Sequence, residues 1–350
     1  MGLTAGGQRE TLASLQGPTA LEPIVKAVGF SRYGSADRLA LRELPTPEPK
    51  DDELLIRVHA SSVNSWDWEL LSGTLPNRAM FGLCAPRASN QILGADVSGV
   101  VDAVGSRVTR FRPGDAVFGD LWDRFGGFAE YACAPEGGFE PKPPAVSHLE
   151  AACVPQAGVL ALQALRAGDG ALLPGQRVLV NGGGGGVGSF AIQLAKLAGA
   201  EVTGADAAHK QAAMRSVGAD HVLDYAAVDF TNTGERYDRI VDCQNRRAPS
   251  RNRRALRPGG TFAMVGGTRL LSLLVSNRVG RLRGDDRQLL LVTAGPNRGL
   301  DELAALVEVG ELVPMIDRSY ALDQVPEAIR YFAEGRHRGK LGIAIAGDSA

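Results

Sequence analysis

Short apolar runs, rich in β-branched side chains and interrupted by Gly, Pro and Asp, fill the chain from Ile24 to about Lys142. Runs of this length bounded by turn residues are typical of β-strands. The predicted strands include IVKAVGF (24–30), LLIRVHASSV (54–63) and DVSGVVDAVG (96–105), and FRPGDAVFG (111–119) contains a Pro-Gly-Asp turn between strands. This part of the chain is therefore predicted to be a compact all-β unit.

The spacing of apolar residues changes after the proline-rich segment EPKPPAVS (140–147). A helical run is predicted from His148 to about Ala167, and strands then alternate with helices. The predicted strands are RVLVN (177–181), EVTGAD (201–206), HVLDY (221–225), RIVDC (239–243) and TFAMVGG (261–267). The segments between them with helical character are GGVGSFAIQLAKLAGA (185–200), HKQAAMRSVGA (209–219) and NRRALRPGG (252–260). Such alternation predicts a parallel, doubly wound sheet and hence an α/β fold class.

A last helix, EAIRYFAEG (327–335), and a last strand, KLGIAIA (340–346), close the chain. We expect this strand to return to the first unit. The predicted organisation is a disordered tail (1–21), a β-rich domain (22–147) completed by about 318–350, and an α/β domain (148–317).

Composition and charge bear on which partners and which cellular location are expected. The 350 residues carry a net charge of −1, which predicts no nucleic-acid partner and no anionic membrane partner. No run approaches the ~20 apolar residues that span a bilayer. The four cysteines form no CxxC pair and follow no secretory signal, so a reducing cytoplasmic location is predicted.

A glycine-rich turn is the strongest chemical signal. Strand RVLVN runs through Gly182–Gly186, Val187 and Gly188 directly into a helix. Gly183, Gly185 and Gly188 give the spacing GxGxxG, and Asp206 ends the next strand. Backbone without side chains lets a pyrophosphate approach, and the positive helix N-terminus stabilises its charge. The sequence therefore predicts a dinucleotide-binding loop that includes Gly186 and Val187.

The wider segment GQRVLVNGGGGGVGSFAIQLAK (175–196) resembles the signature of the zinc-independent quinone oxidoreductase and zeta-crystallin branch of the medium-chain dehydrogenase/reductase superfamily. Further matches cover most of the chain: RYGSADRLALRELPTPEPKDDELLIRVHASSVN, GADVSGVV, FRPGDAVFG, GGFAEYA, RSVGADHVLDY and the closing RGK. The resemblance implies a GroES-like catalytic domain, a Rossmann domain and a nicotinamide bound between them. It also implies NAD(P)H-dependent hydride transfer to a small organic substrate.

Zinc-dependent members of the superfamily hold a catalytic zinc with two Cys and one His. The matching positions here are Asn64, Ala95 and Ala157, which supply no thiolate or imidazole. The resemblance therefore implies a zinc-free enzyme. Without a Lewis acid, quinones and alkenes conjugated to a carbonyl are the substrates that accept hydride most readily.

The resemblance also places residues at the nicotinamide. Asn64 and Asp67 are expected beside it as candidate catalytic residues, although Asn64 could instead only cap the following helix. Trp66 either walls the substrate cleft or packs between domains. On the opposite side, Val265, Gly266 and Gly267 match a nicotinamide-proximal segment, whereas the preceding loop, Asp242–Asn245, departs from the family pattern and brings Asn245 to this end.

The adenosine end carries opposing signals. A carboxylate at Asp206 chelates the ribose diol in NAD-specific folds and repels a 2′-phosphate. Lys210, with His209 beside it, matches a family lysine that pairs with that phosphate, and Tyr225 matches a nearby tyrosine. NADPH is therefore weakly preferred over NADH.

Two alternatives to a quinone or enone reductase remain: a specialised biosynthetic enoyl or carbonyl reductase, and a dinucleotide-binding structural or sensor protein with little turnover. A homodimer is also predicted, because LLSLLVSN (270–277) and the strand-like QLLLVTA (288–294) would leave an apolar sheet edge exposed.

Overall fold

The computed structural model describes residues 24–74, 91–168, 170–267, 269–292 and 295–346. Within these ranges the chain forms three β-sheets and a set of helices. The predicted disordered tail lies outside the described residues.

Two sheets build the first part of the molecule. Their strands are β1 (Ile24–Phe30), β2 (Ala40–Pro45), β3 (Glu53–Val63), β4 (Gln91–Ile92), β5 (Asp96–Val104), β6 (Ala116–Asp120), β7 (Tyr131–Pro135), β8 (Phe139–Pro141), and, from the end of the chain, β15 (Ile316–Ala321) and β16 (Lys340–Ala344). One sheet has the order β2-β1-β4, and the other has the order β15-β16-β3-β5-β6-β8 with β7 also paired to β3. The last strand thus returns to the first part and runs antiparallel to β3, with Leu341 opposite Val63.

A six-stranded parallel sheet forms the second part. Its strands are β9 (Arg177–Asn181), β10 (Glu201–Asp206), β11 (His221–Asp224), β12 (Tyr237–Asp242), β13 (Leu256–Val265) and β14 (Gln288–Val292). The strand order is β11-β10-β9-β12-β13-β14. From β9 the chain adds β10 and β11 on one side and then β12, β13 and β14 on the other, which is the doubly wound arrangement. Ligands bind at this switch point, beyond the carboxyl ends of the strands. The predicted mixed α/β fold class is confirmed.

Helices pack beside the sheets in both parts of the molecule. They are α1 (Ser65–Ser72), α2 (His148–Ala152), α3 (Pro155–Arg166), α4 (Gly186–Leu197), α5 (Gln211–Ser216), α6 (Pro249–Asn252), α7 (Leu270–Leu282), α8 (Leu300–Glu308) and α9 (Val325–Ala333). The buried face of α4 places Phe190, Ile192 and Leu194 in a core shared with α3 and the parallel sheet. No helix in the described ranges is long and apolar enough to cross a membrane.

Three predicted elements differ from the structure. The helical run from His148 to Ala167 is broken into α2 and α3, because Pro155 starts a new helix. The helix-like segment 252–260 is mostly strand, since β13 begins at Leu256 and Pro258 is unsuited to a helix interior. The apolar segment LLSLLVSN, expected to form part of a sheet edge, is the start of helix α7.

Two of the contacts that join the first and second parts of the molecule involve Gly339 and Asn297. The Gly339 N–H donates to the Gly184 carbonyl at 2.8 Å, so the approach to β16 lies against the glycine-rich turn. The Asn297 side chain exchanges hydrogen bonds with the backbone N–H and C=O of Asp120 at 2.9 and 3.0 Å. These contacts hold the first and second parts of the molecule together beside the opening between them.

Candidate active site

A cavity of about 1360 Å³ lies between the two parts of the molecule. Most of the predicted site residues line it: Asn64, Trp66, Gly185, Gly186, Val187, Gly188, Asp206, Lys210, Tyr225, Asn245, Val265, Gly266 and Gly267. Three predicted site residues do not line it, namely Asp67, Gly183 and His209. The exposed His209 side chain instead contacts the Arg336 carbonyl at 3.3 Å.

The glycine-rich turn is tightly packed at one end and open at the other. A Cβ on Gly188 would lie 2.1 Å from the Gly182 carbonyl oxygen, so only glycine lets α4 start this close to the turn. A Cβ on Gly185 would meet nothing closer than 3.5 Å. The backbone at Gly185 therefore faces open cavity at the N-terminus of α4, where a phosphate is favoured.

Asp206 faces the glycine-rich turn. One of its carboxylate oxygens accepts the Gly184 N–H at 3.0 Å, and the other accepts the Ala207 N–H at 2.8 Å. The Lys210 ammonium lies 4.0 Å from this carboxylate, and both side chains are buried. Burial lowers the pKa of Lys210, and the Asp206 charge opposes that shift. This pair supports the loop more than it presents charge to the cavity.

Tyr225 and Arg246 form the more accessible part of the adenosine end. The Arg246 guanidinium lies over the Tyr225 ring, 5.1 Å from its centroid, and both residues line the cavity. Arg246 is exposed. An arginine held flat over an aromatic ring can present its N–H groups to a phosphate.

The loop Asp242–Asn245, whose sequence departs from the family pattern, is held by hydrogen bonds to the Asp242 carboxylate. The buried Asp242 carboxylate accepts the Asn181 side-chain N–H at 2.7 Å and the backbone N–H groups of Gln244 and Asn245 at 3.0 and 3.1 Å. Asn245 has a left-handed backbone (φ 52°), and its amide nitrogen donates to the Val265 carbonyl at 2.8 Å. Its buried Oδ1 makes no hydrogen bond within the described residues. An acceptor is thus available at the end where the carboxamide is expected.

Asn64 belongs to a buried polar cluster at the other wall. It follows β3, whereas Asp96 opens β5 and Lys340 opens β16. The Asn64 amide nitrogen donates to Asp96 Oδ2 at 2.8 Å, and its Oδ1 accepts from the Lys340 ammonium at 2.5 Å. Ser62 and the Gln156 backbone N–H also donate to the Asp96 carboxylate. The Asn64 side chain is therefore part of a charged network in the cavity wall.

Asp67 lies beneath this cluster. Its fully buried carboxylate accepts the backbone N–H groups of Asn64 and Gly94 at 2.8 and 2.7 Å. Burial raises the pKa of Asp67 to about 7, against the lowering effect of these two bonds. The contacts of Asp67 hold the start of α1 in place, and the structure does not bring this side chain to the cavity.

An aromatic wall adjoins Asn64. The rings of Trp66 and Trp122 are tilted, with centroids 4.6 Å apart, and Phe125 lies beside them in the cavity. Glu69 also lines the cavity, and burial raises the pKa of its carboxyl to about 7. Trp66 lines the cavity and also packs against the core of the first part of the molecule.

Known proteins match both parts of the chain. The family profile described as "Alcohol dehydrogenase GroES-like domain" matches residues 50–144, and the one described as "Zinc-binding dehydrogenase" matches residues 217–341. The Arabidopsis thaliana chloroplast envelope quinone oxidoreductase homolog is 32% identical over 329 residues, which cover 91% of this chain and 98% of that protein. The chain belongs to the quinone oxidoreductase branch of the medium-chain dehydrogenase/reductase superfamily.

Other relatives agree with this placement in the superfamily. The 2-methylene-furan-3-one reductase of Solanum lycopersicum is 29% identical over 348 residues, covering 95% of this chain and 81% of that protein. The structure of the quinone oxidoreductase from Coxiella burnetii has a TM-score of 0.81 and 29% identity, covering 92% of this chain and 99% of that one. A GroES-like domain and a Rossmann domain are therefore the two parts described above.

The residues that line the cavity are suited to hold a nicotinamide dinucleotide. Gly185 leaves the space that a Cβ would partly fill, α4 directs its N-terminus at that space, and Asn245 Oδ1 is an unused acceptor at the far end. Residues that could hold the cofactor therefore line the cavity from its adenosine end, at Tyr225, to its nicotinamide end, at Gly267.

Several cavity residues were not predicted, among them Lys340, Glu69, Arg246, His337 and Trp122. Lys340 lies in the RGK segment that matches the family, and that match is the sequence feature that could have identified it as a site residue. The other four lie in segments whose placement depends on tertiary packing. His337, for example, stacks on Phe332, and burial lowers the pKa of its ring to about 4.

Proposed function

We propose that this protein is an NADPH-dependent, zinc-free reductase of quinones or α,β-unsaturated carbonyl compounds. One observation carries the proposal: a single cavity joins the open glycine turn at Gly185 to the polar cluster at Asn64. The similarity to a quinone oxidoreductase homolog and to 2-methylene-furan-3-one reductase supports this substrate class.

The turn at Gly185 and the Asn245 side chain would hold a reduced nicotinamide dinucleotide, which would supply hydride for an electrophilic carbon of the substrate. The Asn64 amide can donate a hydrogen bond to an oxygen that gains negative charge as hydride arrives. The aromatic wall of Trp66 and Trp122 offers flat apolar surface to a planar substrate and excludes water. Glu69, whose pKa is about 7, can hold a proton in this cavity near neutral pH.

Zinc independence is part of the proposal. Asn64, Ala95 and Ala157 stand at the positions of the zinc ligands, and the Lys340 ammonium lies within hydrogen-bond distance of Asn64. Within the described ranges, no three His, Cys, Asp or Glu side chains are grouped to hold a metal. We expect metal analysis of the purified protein to find no stoichiometric zinc and chelators to leave activity unchanged. One tightly held zinc per chain would contradict this.

The preference for NADPH is also proposed. Both Asp206 carboxylate oxygens already accept protein N–H groups, from Gly184 and Ala207, so a ribose diol would have to share an oxygen that the protein uses. Arg246 lines the same end of the cavity and, unlike the buried Lys210, is exposed. These placements support a 2′-phosphate site, with NADH as the poorer cofactor.

The test is steady-state oxidation of NADPH with a panel of quinones and conjugated enones, followed by the absorbance of the reduced nicotinamide. We expect turnover with both classes and little with saturated ketones. Binding of NADPH without turnover on any member of the panel would favour a structural or sensor role. Turnover confined to enoyl thioesters would favour a specialised enoyl reductase.

The cytoplasmic location stays a prediction. Cys133, Cys153 and Cys243 are free thiols, which suits a reducing compartment. Several relatives carry names that place those proteins in chloroplasts or mitochondria.

A further inference from the structure

We propose that Lys340 is a positioning residue, whose ammonium fixes the orientation of the Asn64 amide so that its nitrogen, and not its oxygen, faces the substrate. This inference rests on the proposed function, because it concerns the same reductase site.

The hydrogen bonds around Asn64 determine which end of the amide is which. Lys340 has no acceptor, so the Asn64 atom 2.5 Å from its ammonium must be the oxygen. An ionised Asp96 has no donor, so the Asn64 atom 2.8 Å from Asp96 Oδ2 must be the nitrogen. A flipped amide would place oxygen against carboxylate and nitrogen against ammonium. Two charged neighbours therefore exclude the flipped form.

The donors can then be counted. The three N–H groups of the Lys340 ammonium match three protein acceptors: the Val63 carbonyl at 3.3 Å, Asn64 Oδ1 at 2.5 Å and Asp96 Oδ2 at 3.2 Å. Lys340 thus has no N–H left for a substrate. The Asn64 amide has two N–H groups and gives one to Asp96. The second is the donor that this cluster offers to the cavity, which Asn64 lines.

Lys340 also joins this cluster to the glycine-rich turn. The preceding residue, Gly339, donates its N–H to the Gly184 carbonyl at 2.8 Å. A Cβ on Gly186 would lie 2.9 Å from the Lys340 Cδ atom, so the lysine stem runs along the start of α4. One side chain therefore spans the distance from the expected pyrophosphate site to the expected substrate donor.

Burial makes Lys340 effective in this role. The side chains of Lys340 and Asp96 are 2% and 0% exposed. A buried ion pair with fully used hydrogen bonds is rigid, but removing one partner leaves a buried charge and is strongly destabilising. The test therefore needs a charge-balanced variant, Asp96→Asn with Lys340→Met. That variant keeps an oxygen acceptor for the Asn64 N–H, leaves no unpaired buried charge, and removes the ammonium that donates to Asn64 Oδ1, Val63 and Asp96.

The main experiment is a double-mutant cycle on kcat for NADPH-dependent enone reduction. We expect Lys340→Met, alone or with Asp96→Asn, to lower kcat by about tenfold to a hundredfold, because a misplaced donor costs rate. KM and the NADPH dissociation constant should change less than about twofold. In an Asn64→Ala background, Lys340→Met should add less than about a twofold loss, since no amide remains to be oriented. Full loss in both backgrounds would overturn the proposal.

A matched control is Lys196→Met. Lys196 lies on α4 outside the cavity and pairs with Asp220 at 2.8 Å, so its loss removes an ion pair without touching Asn64. It should leave kcat unchanged.

A second measurement does not depend on turnover. In protein labelled with ¹⁵N-asparagine, the Asn64 side-chain NH₂ signals, assigned by their loss in Asn64→Ala, should exchange slowly with solvent. In the charge-balanced variant they should exchange at least about tenfold faster as the amide reorients. Unchanged exchange would overturn the positioning role even if the parent reduces quinones. Conversely, loss of protection in a protein with no reductase activity would uphold the positioning role and refute the proposed function.

Discussion

Single side chains differ in how far the sequence alone could place them. Asn64 was predicted at the site, and it lines the cavity. The direction of the Asp206 carboxylate was not predictable, because it depends on the N–H of Gly184 in a turn whose conformation the sequence does not specify. Asp67 was expected beside the nicotinamide, yet its two backbone contacts hold it under the cavity wall.

The preference for NADPH over NADH gives a first prediction for single side chains. Arg246→Ala should lower the ratio of kcat/KM for NADPH to that for NADH by about one to two decades, because a charge-assisted phosphate contact is worth ~1.5–3 kcal/mol. Lys210→Ala should weaken both cofactors together, since Lys210 is buried against Gly184 and Asp206. If Lys210→Ala alone reverses the ratio and Arg246→Ala leaves it unchanged, Lys210 is the phosphate residue.

Glu69 gives a second prediction. Burial raises its pKa from 4.5 to about 7, so the folded protein binds this proton more tightly than the unfolded chain does. Ionisation of Glu69 therefore costs stability: the unfolding free energy falls as pH rises from about 4.5 to about 7 and stays lower above that. Glu69→Gln removes the cost, by about 2 kcal/mol after allowance for partial solvent exposure.

The measurement is the thermal midpoint of parent and variant between pH 4.5 and pH 8. Glu69→Gln should match the parent at the acidic end and exceed it by about 3–6 °C at the alkaline end. Glu43→Gln, on the exposed strand β2, is the control variant. An equal effect of Glu69→Gln at all pH values would contradict the raised pKa.

Whole elements were predicted best where local pattern and tertiary packing agree. Strands β9 and β10 match the predicted segments residue for residue, because each is a buried run bounded by turn residues. Segment 252–260 was mistaken for a helix. Strand β13 begins within it at Leu256, which pairs with Tyr237 of β12, and local propensity does not reveal this pairing between two strands.

The glycine-rich turn permits a prediction that separates folding from binding. Gly185→Ala should leave the thermal midpoint unchanged and weaken NADPH binding at least about tenfold, because its Cβ would enter the cavity without touching protein closely. Gly188→Ala should lower the midpoint by several degrees, because its Cβ would overlap the Gly182 carbonyl. Gly137→Ala, where a Cβ would meet nothing within 4 Å, is the control for both measurements. Equal midpoints for the first two variants would refute this division.

At the scale of the whole molecule, the sequence could predict the two-part architecture but not how its surfaces are covered. Helix α7 exposes a row of large apolar side chains: Leu270, Leu271, Leu274, Val275, Val279 and Leu282. Strand β14 beside it ends the parallel sheet in the described part of the chain. The predicted apolar edge is thus a helix face next to a sheet edge.

We propose that a second copy of the chain covers this surface. Leu271 and Leu282 are 75% and 79% exposed in the single chain, which is costly in water. Light scattering at micromolar concentration should give a dimer for the parent and a monomer for the variant Leu271→Asp with Leu274→Asp. Leu173→Asp, an exposed leucine outside this helix, should leave the dimer intact. A monomeric parent would contradict the proposal.

Zinc-free hydride transfer from NADPH to an activated substrate can be followed by labelling the hydride itself. The reaction is run in the presence of a chelator with a conjugated enone and each of the two epimers of NADPH carrying deuterium at C4, and the product is analysed by mass spectrometry and NMR. We expect deuterium on the carbon β to the carbonyl, delivered from only one of the two epimers. Unlabelled product, or activity that the chelator abolishes and zinc restores, would contradict it.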